Sequence, residues 1–251
     1  GSSVETSLIS FSIFLDPQGV GPMAPHAIIS YDDTQDDHDA LAMGRVLAEA
    51  GATLTLAYVR HIHQPHPDRE QLAEHEAEGL LDRGAAWLEQ PDVGRRVVMS
   101  ASTGQGLGWL AEQEQADIIV FGSDYRTRTG HISVGRSAQT LLESGPAALA
   151  IAPAGFHAQG KDAIETIGVL PGSADEAAIE TAFSLAKQSS ATVVDREHGV
   201  DLLVVGSRSE APHGRVMISA RSLGAIEEAT SPVLIVARGV ALHFEPSLIT
   251  A

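Results

Sequence analysis

The 251-residue sequence has no cysteine. That absence removes disulfides, thiolate metal sites and cysteine nucleophiles in one step, and it suits a reducing compartment. Basic residues are scarce: 16 Lys and Arg stand against 33 Asp and Glu, for a formal net charge of −17. A general nucleic-acid binder carries a basic footprint, and an anionic membrane attracts basic segments, so neither partner is expected. No apolar run approaches the roughly 20 residues needed to span a bilayer. The short apolar patch 8–15 has no basic region ahead of it, which is not the pattern of a secretory signal. A cytoplasmic location is therefore expected. Aromatic residues make up only 4%, so the core must be built from the aliphatic and alanine side chains that supply most of the 43% apolar content. That content is ample for a folded chain.

What is present is an alternation of short apolar runs with amphipathic stretches. The spacing predicts strands at 27–31, 53–59, 96–99, 117–121 and 147–151, with helices over 36–50, 70–89, 104–115 and 134–143 between them. Strands alternating with helices imply a parallel sheet covered on both faces. Ligands bind such sheets beyond the carboxyl ends of the strands, where the strand order switches. The loops after the first and fourth strands are thus the candidate site.

The pattern then restarts. Strands are predicted at 166–170, 191–194, 201–205 and 233–236, and helices at 177–187 and 221–229. Asp201-Leu202-Leu203-Val204-Val205-Gly206-Ser207 repeats Asp117-Ile118-Ile119-Val120-Phe121-Gly122-Ser123, and a glycine follows eight residues after each Gly, at Gly130 and Gly214. Such self-similarity governs the fold assignment. The copies are unequal. Asp32 to Gly122 spans 90 positions but Pro171 to Gly206 only 35, so the second copy lacks 55 residues, enough for a helix–strand–helix portion.

Each copy resembles a universal stress protein domain, and the chain is similar to a tandem-domain member of that family. The resemblance covers about residues 24–238. It rests on Asp32-Asp33-Thr34 after the first strand, Tyr58-Val59 at the end of the second, the doubled 116–123 and 200–207 segments, and 231–236 (Ser-Pro-Val-Leu-Ile-Val) at the end. The resemblance implies an α/β fold of two open, doubly wound, mainly parallel sheets, with strand order 3-2-1-4-5 in the first and a shortened second, packed as a pseudo-twofold pair. The seam of that intramolecular pairing is expected at 147–151 and 233–236, and further homodimerisation is left open. The expected division is an N-terminal extension, flexible, at 1–23; a first domain at 24–155; a shortened second domain at 161–240; and a C-terminal tail at 241–251.

Nucleotide-binding members of the family carry Gly-2x-Gly-9x-Gly-(Ser/Thr) after the fourth strand. Glycines let backbone approach phosphate, and a helix N-terminus stabilises its charge. Here the first copy reads Gly122-2x-Tyr125-9x-Gly135-Arg136, with Ser137 one position later. The outer glycines keep register; Tyr and Arg replace the others. Arg126, Arg128 and Arg136 place three cations on one loop, and guanidinium suits phosphate. The resemblance makes Asp32 a nucleotide contact and Val59 the residue whose backbone addresses adenine. Asp32 and Asp33 are the carboxylates available to Mg²⁺. The implied ligand is ATP or AMP, with Mg²⁺ in the case of ATP, held in the first domain only. The second copy has Ser209, Ser219 and Ala220 at the matching positions, and Pro171 where the acid should be.

Plainer readings stand beside these. Asp36, Asp37 and Asp39 mark an acidic helix N-terminus, which accounts for the whole aspartate cluster through the helix dipole. His61, His63 and His66 read as a solvated loop, since nothing fixes the surroundings a metal site needs. Ser102 and Thr103 suit helix capping. Arg126 and Arg128 can equally pair with surface acids. An ATP pyrophosphatase needs a Ser-Gly-Gly-rich loop where Asp32-Asp33-Thr34 stands. A receiver domain needs an Asp where Met99-Ser100-Ala101 stands and a Lys where Pro153 follows. No catalytic constellation emerges. Two functions remain. One is a stress-response or signalling protein that binds an adenine nucleotide and is not an enzyme, with slow ATP hydrolysis left open. The other is a degenerate member acting as a protein-interaction scaffold. The orientation of Tyr125, into the cleft or away, bears directly on the choice.

Overall fold

Runs that are apolar at every position suit strands buried on both faces, and the segments Ile118–Phe121, Ala148–Ile151 and Val233–Val236 are buried throughout. The computed structural model of the protein describes residues 24–34, 37–61, 67–160, 163–172 and 175–244. In chain order these form β1 (His26–Ser30), α1 (Asp37–Glu49), β2 (Thr53–His61), α2 (Pro67–Leu88), β3 (Gly94–Ser100), α3 (Thr103–Glu114), β4 (Ile118–Phe121), α4 (Arg136–Ser144) and β5 (Ala148–Ile151). A short 3-10 turn, Phe156–Gln159, leads to β6 (Thr166–Val169), α5 (Glu176–Ser189), β7 (Thr192–Val194), β8 (Leu202–Gly206), α6 (Ala220–Glu228) and β9 (Val233–Val236). The second helix begins three residues earlier than its periodicity predicts, because proline is tolerated in the first turn of a helix, where its missing N–H costs nothing. The segments 1–23 and 245–251 and the residues His63 and His66 lie outside the described residues.

The strand order is β3-β2-β1-β4-β5-β9-β8-β6-β7. The first half has the expected 3-2-1-4-5 order. The two expected sheets are the halves of one continuous nine-stranded sheet. They join where β5 pairs antiparallel with β9, in the register Leu149↔Ile235, Ala150↔Leu234 and Ile151↔Val233. Both strands would otherwise be edges with unpaired backbone groups, and direct pairing satisfies them. Antiparallel joining keeps the faces in common. Thus α1, α2 and α5 share one apolar layer through Leu41, Leu81 and Leu185, while α3, α4 and α6 share the other through Leu107, Leu141 and Ile226. Strand alternation divides the residues between them: Ile29 enters the first layer and Ile28 the second. Among the described residues nothing pairs outside β7, so the shortened copy lacks the counterpart of β3.

The repeat extends to individual hydrogen bonds. Asp117 accepts from the His26 N–H (2.8 Å), and Asp201 accepts from the Thr166 N–H (2.9 Å), each pinning the start of its unit's first strand. The buried Ser123 hydroxyl donates to the Ala152 carbonyl and that of Ser207 to the Val236 carbonyl, both at 2.8 Å. Gly130 and Gly214 share a left-handed backbone (φ 79° and 74°), which a glycine adopts without strain. The halves are also tied at the linker. Asp39, 2% exposed on α1, accepts from the Gly155 and His157 N–H groups at 2.8 Å each and lies 2.6 Å from His157 Nδ1.

Candidate ligand-binding cleft at the carboxyl ends of β1 and β4

β1 is flanked by β2 and β4, and the chain winds away from it in both directions. The carboxyl ends of adjacent strands therefore part company there, and a crevice forms. A cavity of about 320 Å³ occupies it, lined by the β1–α1 loop, the residues after β4 and the first turns of α3 and α4. α3 is drawn close: a Cβ on Gly104 would lie 2.7 Å from the Ser137 carbonyl, so only glycine lets the two helix starts meet.

The floor and one wall are acidic. Asp37 folds the β1–α1 loop around itself, its carboxylate accepting from the N–H groups of Asp32 (2.8 Å) and Thr34 (3.0 Å). Burial pushes the Asp37 carboxyl up to about 8; a hydrogen bond to the Asp32 carboxylate and that group's charge push the same way, against the two backbone N–H groups. The shift favours the protonated form of Asp37. Opposite stands the N-terminus of α4. Its first-turn N–H groups have no intrahelical acceptor, and Gly135 supplies no side-chain cap. The starts of α3, α5 and α6 are each capped, by Ser102, Asp175 and Ser219. A Cβ on Gly135 would meet nothing within 4 Å. Arg136 and Ser137 complete this wall.

Five of the nine sequence-selected residues line the cavity together: Asp32, Gly122, Gly135, Arg136 and Ser137. Four do not. Asp33 turns towards α2, accepting from the Tyr31 hydroxyl (2.8 Å) and pairing through its other oxygen with Arg83 Nε and Nη2 at 2.7 Å. The Arg83 guanidinium holds its carboxyl below the usual range. Val59 is buried in the core beneath α3. Its N–H and C=O face the side where Tyr31 N–H bonds the Ala57 carbonyl two residues earlier, just past the end of β1. Arg126 and Arg128 are exposed on the loop, and Arg126 lies 4.9 Å from the centroid of the Tyr125 ring. Tyr125 is 68% exposed, so it forms the rim of the cavity and does not fill it.

Two cavity residues carried no ligand signal in sequence. Asp37 reads as one more acid at a helix start; only the fold of the loop reveals its pairing with Asp32. Asp124 accepts from the Arg126 N–H (3.1 Å), and Thr127 N–H bonds the Asp124 carbonyl (2.8 Å). Two of the loop's amides, those of Arg126 and Thr127, are therefore spent on the loop itself. The open helix start and the guanidinium on this side of the cleft are those of α4 and Arg136. Among the described residues no group of three or more His, Asp or Glu is placed to hold a metal ion. In the second half, Ser219 caps α6 by accepting from Ser222 N–H (3.0 Å). Arg221 lies over Gly172, 3.7 Å from where a Cβ would stand, at the position matching Ser137.

The family model described as the universal stress protein family matches residues 23–153, a little over half of the chain. Among curated proteins the sequence finds no match. Solved structures give fold-level likeness. A universal stress protein from Archaeoglobus fulgidus DSM 4304 superposes with a TM-score of 0.63 at 13% identity, over 85% of this chain and 98% of that one. A structure assigned to the same family from Pseudomonas aeruginosa UCBPP-PA14 gives a TM-score of 0.57 at 12% identity, over 85% of this chain and 93% of that one.

Proposed function

The chain belongs to the universal stress protein family, and we propose that it is a cytoplasmic stress-response or signalling protein whose first half binds an adenine nucleotide. The carrying observation is the uncapped N-terminus of α4, with Arg136 beside it, opening into a cavity opposite Asp32. A helix N-terminus with free N–H groups attracts phosphate, and guanidinium adds a charge-assisted partner. A volume of about 320 Å³ lies at the small end of ligand pockets. Three carboxyl groups, Asp32, Asp37 and Asp124, face it. Both facts favour a monophosphate, AMP or its cyclic form, over ATP. For ATP, Asp32 is the carboxylate available to Mg²⁺. Binding, not turnover, is the activity proposed. The competing reading, a ligand-free interaction scaffold, draws on Asp124, which takes up the Arg126 and Thr127 N–H groups of the loop where a phosphate would lie.

The test is calorimetric titration with AMP, cyclic AMP and ATP, with and without Mg²⁺, on protein checked for co-purified nucleotide. One site per chain is expected. Gly135→Val should reduce affinity at least about tenfold while the fold stands, because the position has an ordinary φ of −65° and open space above it, and the exchange costs a helix start only about 1 kcal/mol. No heat of binding with any nucleotide would move the assignment to the scaffold reading; unchanged affinity in the Gly135→Val variant would refute the role given to the start of α4.

A further inference from the structure

The first helix of each half can be laid on the other. The buried stripe Ala40, Met43, Gly44 and Leu47 of α1 matches Ala178, Thr181, Ala182 and Leu185 of α5 position for position. That register sets His38, Leu41 and Arg45 level with Glu176, Ile179 and Phe183. Positions three and four apart share one side of a helix. On α1 this side is covered by α2. The Trp87 ring stacks on His38 (centroids 5.6 Å apart) and carries the Arg45 guanidinium 4.6 Å from its centroid, and Leu41 is fully buried. On α5 the same side is bare: Ile179 is 41% and Phe183 60% exposed. The other side of α5 is covered by the end of the described chain, where the Leu242 N–H donates to the Thr181 hydroxyl (2.9 Å) and the Phe244 N–H to the Ser184 hydroxyl (2.7 Å).

The shortening explains the difference. Among the described residues the chain passes from β7 to β8 without a helix, so α5 has no counterpart of α2 beside it. The bare side adjoins β7, the three-residue edge of the sheet. An apolar pair four residues apart, on the side that takes a helix in the complete half, is the ridge on which another helix packs.

Charge selects the occupant. Glu176 and Glu180 lie on this side of α5, and Asp195 and Glu197 follow β7 directly. Against them stand Lys187, in the last turn of α5, and Arg196, whose Nη2 donates to the Gly199 carbonyl (3.1 Å). A second copy of this chain would bring the same carboxylates against themselves, which like charge disfavours. A helix with Lys or Arg flanking its apolar side meets both the ridge and the acids.

We propose that the exposed side of α5, centred on Ile179 and Phe183, docks a basic amphipathic helix of a partner protein, in the place that α2 takes on α1. The surface lies in the second half, so its test is independent of the nucleotide cleft. The probe is a synthetic amphipathic helix of leucine and lysine, about 18 residues or five turns long. It is titrated into the full chain by fluorescence anisotropy at physiological salt, where attraction between distant exposed charges is screened. One site is expected, with α5 and β7 protected from hydrogen exchange and α1 unchanged. Ile179→Ser/Phe183→Ser should weaken binding at least about tenfold, and Glu176→Lys/Glu180→Lys should weaken it as well. All four side chains are exposed, so an unchanged thermal transition is expected of both variants. No binding, or equal affinity in the wild type and the Ile179→Ser/Phe183→Ser protein, would overturn the proposal. Equal affinity for a leucine–glutamate helix would overturn the basic character of the partner. A peptide-free dimer in sedimentation that Ile179→Ser/Phe183→Ser abolishes would overturn it too, by assigning the surface to a second copy.

Discussion

Replacing Asp37 by asparagine should flatten the pH dependence of stability. The substitution is isosteric. The amide oxygen can accept the Asp32 and Thr34 N–H groups now held at 2.8 and 3.0 Å, and the amide N–H can donate to the Asp32 carboxylate in place of the Asp37 carboxyl proton. In the wild type the Asp37 carboxyl is raised in the folded state to about 8, from 3.8. The folded protein therefore holds a proton that the unfolded chain releases between these values, and stability must fall as pH rises through that window. The stabilising contribution is complete below the unfolded value and gone above the folded one. Each pH unit is worth at most about 1.4 kcal/mol, so between pH 5 and 7 the wild type should lose up to about 2.7 kcal/mol that the Asp37→Asn protein keeps. Urea unfolding at half-unit pH steps measures the difference, with the m-value checked for constancy. Parallel curves for the two proteins across pH 5–7 would refute the pairing of Asp37 with Asp32. Above the folded value of about 8 the same variant removes a negative charge from the cavity, so there it should bind a nucleotide phosphate more tightly.

Two further outcomes follow from the joining of the halves. Asp39→Ala leaves the half-buried Gly155 and His157 N–H groups without their acceptor, and should cost about 2–3 kcal/mol in urea unfolding; a loss under about 1 kcal/mol would show that the linker contact is slack. Residues 160–251 expressed alone should show no cooperative thermal transition by circular dichroism, because β9 loses its β5 partner and Ile164, Leu234 and Val236 lose the core they share with Ala148 and Ala150; a cooperatively folded monomer would refute this.

Much of the architecture was legible in the sequence for one reason: buried parallel strands must be apolar throughout, and their helices must repeat at 3.6 residues. The doubled Asp–apolar–Gly–Ser segment was legible too, though not its purpose. Asp117 and Asp201 pin strand starts, and Ser123 and Ser207 tie the ends of neighbouring strands. These residues recur because the fold needs them, independently of any ligand. The lost 55 residues were readable as spacing, and their removal takes away an edge, where few contacts depend on them.

The site was harder to read, because side-chain direction is not a sequence property at loop positions. Asp32 and Asp33 are neighbours, yet one lines the cavity and the other, at φ 64°, turns to Arg83 fifty residues away. Tyr125 stands where the phosphate pattern has glycine, and the loop carries its ring outward to the rim. By itself the sequence determined the strands, the helices, the repeat and the end of the sheet at which the cleft opens, since these follow from the period and polarity of local runs. Only the tertiary structure decided that the two halves share one sheet, that Asp37 folds against the Asp32 and Thr34 N–H groups, and that α4 starts without the side-chain cap that α3, α5 and α6 each have. The first depends on strands far apart in the chain being brought within hydrogen-bond distance, and the other two on the path of loops whose conformation no apolar period encodes.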